Sequence, residues 1–216
     1  MAIKTTKPFA VKGINVTSPK AKALWCKFKE PDTKFNHKGE YSTSLVLDPN
    51  DTAVAKYIDR LEELRDMAYN ETCETLGAAK AKAVRVADVF AEEYDQDGNP
   101  TGNIIVKVKM NNVEDRKDRG DTAEILVVDA KKNKLSIKEA PLVGNGSVIR
   151  AVSYANPYYM ASTKTVGISH IWSKMQIIEL NEYTGGGGDD FDEEDGFVEQ
   201  KETVADVDDF DDNADF

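Results

Sequence analysis

Histidine and cysteine are scarce in this chain, two of each among 216 residues, and their scarcity excludes most site chemistry. Cys26 and Cys73 lie far apart, with no CxxC pair and no Cys or His cluster at metal-ligand spacing. A zinc site and a disulfide framework are thereby excluded as organising elements, and the two read as incidental thiols of a reducing compartment. Only His37 and His170 titrate near neutrality, and neither belongs to a nucleophile-elbow, metalloprotease or phosphate-loop pattern. His170, inside GISHIWSKMQIIEL, reads as a sheet residue rather than a base. No apolar run reaches the eighteen or so residues of a membrane span, and the opening MAIKTTKPFA has no signal-peptide core. The expectation is a soluble intracellular protein, no enzyme, with no metal and no cofactor. An enzyme would need a buried pair with shifted pKa values, which the sequence does not display.

What is present is charge, and it is unevenly placed. Residues 185–216, GGGGDDFDEEDGFVEQKETVADVDDFDDNADF, hold fourteen Asp or Glu against Lys201 alone, a net of −13, while the first 184 residues hold 27 basic and 25 acidic side chains. The total of −11 therefore conceals a near-neutral body. A block of like charge with few apolar residues cannot bury enough surface to offset the entropy of ordering, so it stays disordered and acts as an interaction tail. The domain organisation expected is a folded body at 1–184 and a disordered acidic tail at 185–216. Phe191, Phe197, Phe210 and Phe216 offer apolar anchors amid the acids.

The body reads as mainly β. Short runs rich in β-branched and aromatic residues are separated by Gly, Pro, Asn and Asp, the pattern of a barrel or sandwich. Strands are expected at 9–16, 23–28, 41–47, 83–90, 103–110, 124–128, 147–154 and 166–180. One helix interrupts them: Val54, Tyr57, Ile58, Leu61, Leu64 and Ala68 recur at helical spacing. Asp51 is its expected N-cap and Gly77 its terminator. The segment Asp95-Gln96-Asp97-Gly98-Asn99 reads as a hairpin turn. Its Gly comes one place too early for a calcium loop, and no Glu stands at the twelfth position. Gly144-Asn145-Gly146-Ser147 lacks the Lys-Ser or Lys-Thr ending of a phosphate loop and reads as a turn feeding a strand.

Candidate binding residues come as basic side chains interleaved with rings. Lys20 to Tyr41 contains six lysines and four aromatics, among them Trp25, Lys27 and Lys34. Ammonium groups can track phosphates while flat rings accept unstacked bases. The same residues fit a solvated face over a core holding Trp25 and Phe28, and the stretch alone does not choose. Alternation in Ile104 to Met110 sets Lys107 and Lys109 on the face opposite Val106 and Val108. Beyond the GNGS turn, Arg150 precedes Tyr154, Tyr158 and Tyr159; Pro157 makes this end a loop or a strand edge, where the tyrosines either accept bases or pack under the loop.

The run VVDAKKNKLSIKEAPLVGNGS at 127–147, followed by the Arg150 strand and Asn156-Pro157-Tyr158, resembles the single-stranded DNA-binding proteins of short-tailed bacteriophages. The order of GEYSTSLVL, a helix, the Val-Val-Asp strand, a glycine linker and an acidic tail ending in an aromatic residue is similar too. The resemblance implies an oligonucleotide/oligosaccharide-binding (OB) fold, a five-stranded Greek-key barrel with one inserted α-helix. It also implies sequence-independent binding of single-stranded DNA in phage replication, recombination and repair, with annealing of complementary strands, in the cytoplasm of an infected bacterium. A homodimer is implied, and a tail that recruits the phage DNA polymerase and helicase-primase while competing with DNA. Arg150 and Tyr158 match a basic and an aromatic groove position, and Lys4 and Lys7 match an N-terminal basic pair loosely. On the tail, Asp208, Asp209, Phe210, Asp211, Asp212, Asp215 and Phe216 are the expected partner-binding residues. Val148 and Val152 stand where the family pattern has lysines, which implies a less basic groove. The competing reading is an acidic DNA mimic or chaperone whose tail binds basic proteins.

Overall fold

The computed structural model describes residues 7–34, 36–112 and 124–182. The chain divides into two units, Met1–Thr184 and Gly185–Phe216, and all that follows concerns the first. Its elements in order are β1 (Ile14–Thr17), β2 (Ala21–Asp32), β3 (Glu40–Leu47), α1 (Thr52–Leu76), α2 (Ala78–Ala81), β4 (Arg85–Val86), β5 (Ala91–Tyr94), β6 (Pro100–Asn111), β7 (Leu126–Val128), β8 (Lys134–Leu135), β9 (Val148–Met160) and β10 (Thr165–Glu179).

Five of these strands close a ring. β2 pairs antiparallel with β3, β3 antiparallel with β6, and β6 parallel with β10. β10 then pairs antiparallel with β9, which returns antiparallel to β2. Closure gives each of the five a neighbour on both sides over part of its length, which shortens the edges left with exposed ladder groups. β1 is added along β9, β5 along β6, and β4 and β7 lie parallel to β10.

Alternation sends one side chain in two to the inside. In β6 Ile104, Val106, Val108 and Met110 are buried while Lys107 and Lys109 are exposed, as the spacing predicts. Inside the ring these pack with Phe28, Leu45, Ile149, Trp172 and Met175. The helix contributes its apolar stripe: Val54, Tyr57, Ile58, Leu61, Leu64, Ala68 and Thr72 are all buried. Its ends are set by the expected residues, since Asp51 accepts from the Ala53 N–H at 2.7 Å and Gly77, at φ +76°, closes it. A smaller cluster around Ala68, Val84 and Val166 packs with Phe9, Val11 and Tyr159.

Three expectations change. The first strand spans only Ile14–Thr17, because Phe9 and Val11 are spent on the smaller cluster rather than on a ladder. The expected strand at 83–90 reduces to Arg85–Val86, with Val84 and Val89 buried on either side of it. β9 continues through Pro157 to Met160. β1 pairing stops at Ala155, and the Pro157 carbonyl accepts from Lys7 Nζ at 2.6 Å. The imide nitrogen therefore faces a flank where no strand asks for a donor.

Candidate nucleic-acid interface

The outer face of β2, β3 and β6 is built around an irregularity. β2 pairs with β3 at Leu24↔Ser44 and next at Lys27↔Ser42, so two residues of β2 are unmatched. At this bulge Trp25 adopts φ +54° and leaves its indole 67% exposed. A bulky residue in the left-handed region is strained, and a bulge re-aims a side chain out of the ladder. The conformation is held by Asn145, whose Oδ1 accepts from the Trp25 N–H at 2.8 Å. Asn181 in turn donates its Nδ2–H to the Asn145 carbonyl at 2.8 Å. The GNGS turn thus fixes a ring in solvent, a role its sequence does not reveal.

Around Trp25 the face carries Ser42, Ser44 and four lysines. Register places Lys109 opposite Ser42 and Lys107 opposite Ser44, with Lys22 and Lys27 on the β2 side. Three of the lysines hold carboxylates: Lys27 bonds Asp32 at 2.6 Å, and Glu40 bridges Lys109 at 2.9 Å and Lys107 at 3.8 Å. The Lys27 ammonium and then the Lys34 amide hold the Asp32 carboxyl below its usual range. Exposed pairs of this kind contribute about 0–1 kcal/mol, so they position the lysines without adding much stability.

β9 and β10 present a second outer face. Arg150 is exposed, and Val152, Tyr154, Asn156 and Tyr158 follow it at every second position, half-buried, while the residues between them are buried. Tyr154 and Tyr158 are thus about 13 Å apart along the strand at ~3.3 Å per residue. Both rings lie over glycine. A Cβ on Gly167, which pairs with Tyr158, would come 2.7 Å from that ring, and one on Gly13 would come 2.7 Å from the Tyr154 ring. Lys7 joins this row: its ammonium donates to Asn156 Oδ1 at 3.2 Å and to the Pro157 carbonyl, and it lies 5.5 Å from the Phe9 ring centroid.

The two valines of β9 have lysines as neighbours. Lys22 of β2 stands opposite Val148, and Lys174 of β10 stands opposite Val152. Beside Arg150, the positive charge that these two positions of β9 lack is therefore supplied across the ladder. Lys22 also sits on the seam that joins the two faces. The sequence places Lys22 in the basic stretch after Lys20 but sets neither it nor Lys174 beside β9, because nothing in a linear chain gives register.

The remaining expected residues are distributed as follows. Lys34 is exposed in the connection from β2 to β3. Tyr159 falls with the inward set, against Ala68, Val84 and Val166. Lys4 and the tail residues Asp208, Asp209, Phe210, Asp211, Asp212, Asp215 and Phe216 lie outside the described residues. Trp172 is buried, with its Nε1–H given to the Lys174 carbonyl at 3.0 Å, which leaves Trp25 as the tryptophan available for stacking.

The other marked groups are structural. Burial holds the His170 pKa down to about 4, and its Nδ1 bonds Ser153 Oγ at 3.0 Å. Burial pushes the Cys26 thiol up to about 12, so it is a poor nucleophile. In the Asp95 turn, Oδ1 accepts from the N–H groups of Asp97 and Asn99, with Gly98 at φ +82°. Its carboxylate is thereby committed to the turn. No group of three metal-ligating side chains occurs among the described residues, and no described helix is long and apolar enough to cross a membrane.

Residues 19–180 match the family described as single-stranded DNA-binding protein, bacteriophage T7. The single-stranded DNA-binding protein of Enterobacteria phage T3 is 25% identical over 166 residues, 74% of this chain and 70% of that protein. Among solved structures, gp2.5, a single-stranded DNA-binding protein encoded by bacteriophage T7, is similar with a TM-score of 0.63 at 22% identity, covering 87% of this chain and 100% of that one. The single-stranded DNA-binding protein of bacteriophage Enc34, solved in complex with single-stranded DNA, is similar with a TM-score of 0.52 at 12% identity, covering 84% and 96%. At such identities these likenesses speak to the fold alone, whereas the family match runs from the turn before β2 to the end of β10. The chain belongs to the bacteriophage T7 family of single-stranded DNA-binding proteins.

Proposed function

We propose that this chain binds single-stranded DNA without sequence preference, using an OB barrel made of β2, β3, β6, β9 and β10. Supporting the OB reading is the ring order itself, in which the third and fifth strands of the ring, β6 and β10, run parallel and the others antiparallel. The observation that carries the binding function is Trp25, held out in solvent at a strained backbone among lysines. A ring in that setting gains by stacking on a base, and the lysines gain by releasing counterions from phosphates; neither interaction reads sequence.

On this reading Trp25, Lys27, Lys107 and Lys109 contact DNA on one face, and Arg150, Tyr154, Tyr158, Lys7 and Lys174 on the other. The chain serves phage DNA replication, recombination and repair as a homodimer that also anneals complementary strands, inside the host cytoplasm. The segment 185–216, with its net of −13, acts as a disordered, tethered competitor for the lysine faces and as the hook for polymerase and helicase-primase. High effective concentration makes such a tether potent without new contacts. The test is titration of the full chain with a thymine oligomer at several salt concentrations, followed by tryptophan fluorescence. Quenching and a steep loss of affinity with salt are expected. Absence of any oligomer binding refutes this reading and favours the acidic-mimic alternative.

A further inference from the structure

A cleft of ≈ 280 Å³ lies where the start of α1 meets β9 and the connection from β1 to β2. Three cations line it: Lys56 and Arg60 from α1, and Arg150 from β9. Lys56 and Arg60 are four residues apart and so share one helix face. Val16 and Tyr57, both buried, also line it, and no carboxylate does. Among the described residues none of the three cations has an ion-pair or hydrogen-bond partner. This separates them from Lys27, Lys107 and Lys109, each of which holds a carboxylate.

We propose that Lys56, Arg60 and Arg150 form a phosphate-binding cluster that takes the DNA backbone off the β9 face and along α1. The inference rests on the DNA-binding reading and adds two residues and a direction to it. Three cations converging on one open cleft without a counter-charge repel one another, and a bound anion removes that repulsion. Guanidinium groups bind phosphate oxygens in a bidentate fork. The Ala53 N–H at the helix start is already given to Asp51, so the side chains supply the attraction. DNA fits the place because Arg150 is the first residue of the row that continues through Tyr154 and Tyr158. A strand whose bases lie on those rings must carry its phosphates past Arg150, and Lys56 and Arg60 are the next cations on that path.

The test uses the full chain carrying K56Q and R60Q together, and a second variant carrying K56R and R60K. Both side chains are exposed, so folding is retained, which a thermal melt verifies. Each is titrated with a long thymine oligomer across a salt series. Loss of two phosphate contacts makes the slope of log affinity against log salt shallower by about 1.4, at ~0.7 per phosphate for single strands; the charge-retaining variant keeps the wild-type slope. If wild type binds and the double Gln variant has the same slope, the cluster is overturned while the sheet reading stands. If wild type does not bind, both fall. A synthetic peptide of residues 185–216 is titrated in parallel. Loss of peptide affinity in the Gln variant with an unchanged oligomer slope makes the cleft a carboxylate site and overturns the proposal.

Discussion

Replacing Trp25 by glycine separates binding from stability more cleanly than any other change in this molecule. The residue sits at φ +54°, a strain of about 1–2 kcal/mol for a side chain bearing Cβ, which glycine does not suffer. Its ring is 67% exposed, so of about 250 Å² of aromatic surface roughly a third is buried. At ~25 cal/mol/Å² that third stabilises by about 2 kcal/mol. The two terms nearly cancel, and W25G is expected to unfold within about 1 kcal/mol of wild type in a denaturant titration. W25A keeps the strain and loses the packing, so it is less stable than W25G. Binding moves differently: loss of one stacked base costs about 1–3 kcal/mol, a fall of roughly 5- to 150-fold in thymine-oligomer affinity, read by anisotropy of a labelled oligomer at fixed salt. Because Trp172 is buried, quenching of the intrinsic fluorescence must also vanish in W25F. Affinity of W25G within twofold of wild type, or quenching that survives W25F, refutes the stacking role of Trp25.

Glu40 neutralises Lys107 and Lys109 in the free protein, so E40Q is expected to tighten oligomer binding by a few-fold at low salt and to steepen its salt dependence; unchanged affinity means those lysines do not meet phosphate. Deleting residues 185–216, which carry a net of −13, is expected to tighten binding and to make it more sensitive to the free tail peptide, because the tethered competitor is gone; an unaltered affinity ends the competition idea. For His170 the folded pKa of about 4 lies below the ordinary 6.5, so its contribution is complete above about pH 6.5 and is lost as pH falls toward 4. Stability then drops with a slope approaching 1.36 kcal/mol per pH unit, about 3 kcal/mol in all. Denaturant midpoints between pH 7.5 and 4.5 test this, and H170Q is expected to flatten the profile; an equal slope in H170Q assigns it to other groups.

Particular residues show how far the linear chain could be read. The helix was legible from Asp51 to Gly77 because both caps and the apolar stripe are local patterns, each satisfied within a few residues. Lys107 and Lys109 were legible as outward side chains because alternation in β6 is also local. At Pro157 the sequence allows a loop or a strand edge, and the structure makes it a strand edge, because β1 pairing stops at Ala155 and no neighbour needs an N–H there. The role of Asn145 was hidden because its partner, the Trp25 N–H, is distant in sequence and meets it only through the β2 bulge. Lys22 is one of six lysines in a stretch that the sequence leaves unassigned, and only register sets it opposite Val148 and Lys174 opposite Val152.

By itself, then, the sequence determined composition and local order: a scarcity of histidine and cysteine, a near-neutral body joined to an acidic segment, one capped helix among many strands, and rings interleaved with lysines. Those features follow from spacing and charge, which are properties of neighbours along the chain. Only the tertiary structure decided which rings face solvent, with Trp25 and Tyr158 outside and Trp172 and Tyr159 within. It alone brought Arg150 beside Lys56 and Arg60. Ring closure and strand register set those distances, and both arise from pairings between residues far apart in the chain, whose geometry no local pattern encodes.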